Sequence, residues 1–144
     1  MSDKFISEII LGADLLDDCG GFDADAMRKA LDACKETAAA RYIDIDESDR
    51  FDDEELHAFA AAIEYFGEVP EAITAIQRGE YRHCPDVQTY EDLGWEILRE
   101  ETNLDHLPQL VLDYMDFESL GRDVSRDGER GKFTKFGYFT PQRW

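Results

Sequence analysis

The residues with the most chemistry in them are carboxylates. Asp92, Glu96 and Glu100 recur at every fourth position, so on a helix they share one face with roughly 6 Å between successive side chains. Glu91 and Glu101 broaden that stripe and Asp105 extends it, while Glu64, Glu68 and Glu71 form a second acidic group upstream. Only Arg99 stands on the 88–101 segment to compensate it. The whole chain carries 34 Asp and Glu against 15 Lys and Arg, a net charge of −19. B-DNA carries about one charge per 1.7 Å of axis, so this equals the phosphate charge of roughly ten base pairs. Such a surface repels phosphate, which excludes direct, sequence-independent nucleic-acid binding and points to a basic partner. A merely solvated acidic face explains the same charge, since like-charge i, i+4 pairs cost only about 0.2–0.5 kcal/mol each.

Other constellations are weaker. Asp44, Asp46, Ser48, Asp52 and Glu55 have the spacing of oxygen ligands in a calcium-binding EF-hand loop, with helical patterns on both sides. The sharp turn in such a loop needs Gly, and Asp49 stands there instead. An N-cap at Asp52 with Glu55 reciprocating explains the last two residues without metal. His57, His83 and His106 lack the paired spacing of a zinc site with Cys19, Cys34 or Cys84. There is no glycine-rich phosphate loop, no G-x-S-x-G elbow and no H-E-x-x-H. In so acidic a chain, no pair of carboxylates can be singled out for acid/base catalysis. The expectation is a protein that is not an enzyme, with no catalytic residue, metal or cofactor. A calcium-binding module over Asp44 to Glu55 remains an alternative, as does an acidic adaptor or chaperone for a basic protein.

The elements that must position these groups are mainly helical. Hydrophobic residues make up 43% of the 144, enough for a core despite the charge. Residues 4–18 carry Phe5, Ile6, Ile9, Ile10 and Leu16 at helical spacing, stopped by Gly20-Gly21. A second helix spans about 25–39, with Met27, Ala30, Leu31, Cys34 and Ala38 inward. Residues 41–46 alternate as a short strand with Ile43 and Ile45 on one side. A third helix runs from the Asp52/Glu55 cap through the stripe Leu56, Phe59, Ala60 and Ile63 to Gly67. Pro70 starts a short helix that Gly79 ends, and 81–85 is a loop or short extended piece. A helix over 88–101 follows, then short ones opened by Pro108 and Asp116, and an aromatic hairpin over 132–140. A joint is expected near residues 79–88. The longest apolar run, Ile9 to Leu16, is too short to span a bilayer. Met1 to Lys4 lacks a basic segment backed by an apolar run, and the three cysteines are scattered, so a cytoplasmic location is expected. Residues 1–118 hold 31 acids and 9 bases, a net of −22, whereas residues 119–144 hold 3 acids and 6 bases, a net of +3.

The run Tyr114-Met-Asp-Phe-Glu-Ser-Leu-Gly-Arg-Asp-Val124 resembles the antirestriction motif of the ArdA family. Glu100-Glu101-Thr102, Leu107-Pro108 and Gly137-Tyr138-Phe139 also fit, and the resemblance covers about residues 41–139. It implies an elongated acidic homodimer that imitates bent B-DNA and occupies the DNA-binding groove of type I restriction-modification enzymes. It also implies that Asp113, Tyr114, Asp116, Phe117, Glu118, Leu120, Gly121, Arg122 and Asp123 lie at or near the dimer contact. There Tyr114, Phe117 and Leu120 would give apolar area and Arg122 an ion pair across the interface; core packing within one subunit is the other reading of those apolar residues. The family opens with three strands and a helix, whereas residues 1–40 here look helical, so the mimic would be shorter. The expected fold is α+β, mostly helical with small antiparallel β elements, elongated. Its expected parts are a divergent N-terminal segment (1–46), a central acidic helical domain (47–85) and a C-terminal antirestriction-like domain (86–144).

Overall fold

The helix with the clearest start and stop signals is the one on which the others pack. Helix α3 (Asp53–Phe66) opens on a complete capping box. The Glu55 amide donates to Asp52 Oδ1 at 2.7 Å and the Asp52 amide to Glu55 Oε1 at 3.1 Å. It closes on Gly67, whose φ of 75° suits glycine. The predicted stripe Leu56, Phe59, Ala60 and Ile63 is buried, but so are Ala58, Ala61 and Ala62. The small side chains let neighbours approach on several sides: α1 (Asp3–Gly12), α2 (Ala24–Lys35) and α4 (Val69–Arg78) all pack against α3. The computed structural model describes residues 3–36, 45–126 and 130–141.

A three-stranded antiparallel sheet follows the helices. Strands β1 (Arg82–Cys84) and β2 (Lys132–Thr134) both pair with the central β3 (Gly137–Thr140), in the order β1-β3-β2. Register sets Cys84 and Phe133 beside Tyr138, and His83 and Lys132 beside Phe139. Because successive strand residues point to opposite faces, β3 serves two cores. Phe139 joins the cluster of α1–α4 with Phe136. Tyr138 joins a second cluster with Cys84, Val87, Leu93 and Ile97. The last two belong to α5 (Tyr90–Glu101), which is followed by α6 (Gln109–Asp113) and α7 (Phe117–Ser125). The class is α+β, mainly helical, with the sheet held between two helical layers.

Three expectations change. Helix α1 ends at Gly12, not residue 18. Asp17 Oδ1 accepts from the amides of Cys19 and Gly21 at 2.9 and 2.7 Å, which favours a turn over helix. That turn is closed by a bridge between Leu16 and Phe22. Helix α2 stops at Lys35, and Ala38 lies outside the described residues. The strand expected at 41–46 falls partly outside them too; its described end, Ile45 and Asp46, opens a 3-10 helix over Ile45–Arg50. Ser48 Oγ donates to the Ile45 carbonyl at 2.7 Å there, a local bond that competes with extended backbone. The loop or short extended piece expected at 81–85 includes the strand β1, hydrogen-bonded to β3.

Candidate functional site

Helices α5 and α7 pack closely along their lengths, and two glycines explain it. A Cβ at Gly94 would stand 2.8 Å from the carbonyl carbon of Phe117, and a Cβ at Gly121 2.8 Å from that of Tyr90. Each helix thus lays its backbone on the other's glycine. Around this crossing Trp95 stacks on Phe117 with centroids 4.0 Å apart, and the Arg122 guanidinium lies 4.6 Å over the Tyr90 ring. Arg122 also donates to Glu118 Oε1 from Nε and Nη2, at 3.1 and 2.8 Å.

The crossing fixes where Asp113 and the residues of the Tyr114–Val124 run stand in one chain. Phe117 and Gly121 are buried between α5 and α7, and Leu120 is half-buried. Asp116 caps α7, accepting from the Ser119 amide at 3.0 Å and the Ser119 hydroxyl at 2.7 Å, bonds that hold its carboxyl below the usual range. Asp113, Glu118, Arg122 and Asp123 are exposed; Asp113 accepts from Gln109 at 2.8 Å. Tyr114 follows α6 and is 84% exposed, so it does not share the α7 face of Phe117. Leu110 at 67% and Val111 at 44% stand open on α6 just before it. The sequence places Leu110, Val111 and Tyr114 together on the short helix opened by Pro108, but as helix residues and not as an exposed surface.

The acidic residues divide into free and compensated. Glu71, Glu91, Asp92, Glu100, Glu101 and Asp105 are exposed, while Glu64, Glu68 and Glu96 are half-buried. Arg99 pairs with Glu96, and Arg82 reaches from β1 to Glu100. Glu64 Oε2 accepts from the Lys135 amide at 2.9 Å, and Lys132 Nζ lies 5.5 Å over the Tyr65 ring. Part of the basic tail is therefore folded onto α3. Among the described residues, no ion pair reaches Glu91, Asp92, Glu101 or Asp105.

The calcium-loop oxygens are engaged locally. Asp52 and Glu55 cap α3, Asp49 pairs with Lys35, and Asp44 lies outside the described residues. Among the described residues no group of three or more His, Cys, Asp or Glu is placed to hold a metal ion. One titratable pair was not foreseen. His57 stacks on Phe22 at 4.4 Å and meets His83 edge-on at 4.7 Å. Burial, then the neighbouring His83, pushes His57 down to about 4. Burial also lowers His83, which donates from Nε2 to the Phe136 carbonyl at 2.7 Å.

Residues 22–140 match the sequence model of the family described as Antirestriction protein (ArdA). That is more than half of the chain, which therefore belongs to this family of antirestriction proteins. No curated protein and no solved structure matches it. No helix among the described residues is long and apolar enough to cross a membrane.

Proposed function

We propose that this protein is a non-enzymatic DNA mimic that competitively occupies the DNA-binding groove of a type I restriction-modification enzyme in the cytoplasm. The observation that carries the reading is a set of free carboxylates: Glu91, Asp92 and Glu101 on α5 and Asp105 just beyond it are exposed and without an ion pair among the described residues. They sit beside the glycine-locked helix pair that holds the family's motif. A rigid helix sets the spacing of its charges before binding, so little ordering is needed on docking. Docking into a lysine- and arginine-lined groove then releases that groove's counterions. In this reading residues 86–144 form the antirestriction unit, 47–85 supply further acidic surface, and 1–46 form the N-terminal segment, of which residues 22–46 lie within the family match.

The active form is a homodimer. An apolar strip of Leu110, Val111 and Tyr114 standing in water on a chain of net charge −19 supports self-association. The strip adjoins Asp113 to Asp123, and burying it joins two acidic faces into a longer one. The test is DNA cleavage by a purified type I enzyme, with added protein, duplex DNA as competitor and a salt series. Inhibition that duplex relieves and that weakens steeply with salt supports the mimic. Inhibition indifferent to salt, or none, refutes it.

A further inference from the structure

We propose that Arg99 and Arg82 are built-in counterions that keep Glu96 and Glu100 out of the charge offered to a partner. The free protein is then a weaker mimic than its acidic residues alone would make. This rests on the groove-binding reading above. Asp92, Glu96 and Glu100 form one stripe by sequence, but the structure treats them differently. Glu96 and Arg82 are the sheltered members of their pairs, each with 23% of its side chain exposed. Their partners, Arg99 and Glu100, are 64% and 38% exposed. All four line one groove between β1 and α5, with Tyr81 and His83. A groove lysine arriving at Glu91 or Asp92 makes a new ion pair. One arriving at Glu96 must first displace Arg99, exchanging one pair for another at little net gain. Arg82 acts the same way on Glu100 across a long sequence separation, and its sheltered position makes that pair the harder to exchange.

Arg99 carries the test, since it faces solvent and its loss leaves no cavity. Arg99→Gln should inhibit the type I enzyme at about threefold lower concentration than the wild type, the worth of one exposed pair. Arg99→Lys, which keeps the charge, should behave as the wild type. Adding Glu96→Gln to Arg99→Gln should abolish the gain. A parallel measurement needs no enzyme: carbodiimide labelling of carboxylates, read by mass spectrometry. In the wild type Glu96 should react more slowly than Glu91; in Arg99→Gln its rate should rise toward that of Glu91. Arg82→Gln should do the same for Glu100, with thermal melting run alongside. Equal inhibition by Arg99→Gln and wild type overturns the proposal, as does equal tightening by Arg99→Lys or unchanged labelling of Glu96. A wild-type protein that inhibits nothing overturns the reading beneath, while the labelling rates still decide whether the arginines shield the stripe.

Discussion

The helical layers on the two faces of the sheet are built differently. On one face α3 buries seven side chains, four of them alanine, because other helices surround it. On the other, α5 buries only Leu93, Gly94 and Ile97, and α7 only Phe117, Gly121 and Ser125. The first layer turns its apolar residues inward and holds itself together by burial. The second is held by two glycine contacts and a stacked aromatic pair, and it leaves acids and an apolar strip to the solvent. A layer that leaves Leu110, Val111, Tyr114 and several carboxylates in water is the one with something to offer a partner.

The sharpest way to break this contrast is at the crossing itself. Gly121→Ala places a methyl group against the Tyr90 carbonyl, and separating the helices should cost about 3 kcal/mol in urea unfolding. Hydrogen exchange should then show α5 and α7 opening while α3 amides stay protected; equal loss on both faces would erase the distinction. The next effect is on binding. Reversing Glu91, Asp92 and Glu101 to Lys should weaken inhibition on the order of a hundredfold. The same reversal at Asp18, Asp25 and Glu54, on the first layer, should weaken it by no more than about tenfold. Comparable losses would mean that only total charge matters.

The third effect is on pH. An unfolded imidazole titrates near 6.5, whereas His57 in the fold titrates at about 4. Between those values the unfolded chain takes up a proton that the folded chain refuses. Stability from this source is full above about pH 6.5 and is lost as pH falls toward 4. The loss should be roughly 1–2 kcal/mol after solvent screening, and His57→Phe should flatten the slope. His83 acts in the same direction. The smallest effect is at the α3 cap, where Asp52→Ala should cost about 1 kcal/mol in stability without changing inhibition.

Where local signals decided the structure, the sequence could be read. The Asp52 cap and Gly67 stop of α3, the Gly79 stop of α4, the Asp116 cap of α7 and the 132–140 hairpin all stand where residue types put them. Family membership was visible in the run from Tyr114 to Val124. Long-range contacts were not. Nothing near Glu100 in the chain announces Arg82, and nothing near His57 announces His83; both pairings come from β1 entering the sheet. The described end of the expected strand, Ile45 and Asp46, is 3-10 instead, because alternation over a few residues cannot outweigh a serine that bonds back to its own turn. Gly94 and Gly121 did carry a signal, each a glycine inside an amphipathic helix, and such residues commonly mark close packing.

The central strand has a further consequence for how the protein comes into being. β1 and β2 touch only through β3, and residues 138 and 139 of that strand each complete a different core. A nascent chain emerging from the ribosome therefore lacks one aromatic side chain of each core until β3 has been made. Until then the cluster of Leu93 and Ile97 lacks Tyr138, and the cluster around α3 lacks Phe139. Chains released early, even by a dozen residues, should be cleared by proteases rather than accumulate as partial inhibitors.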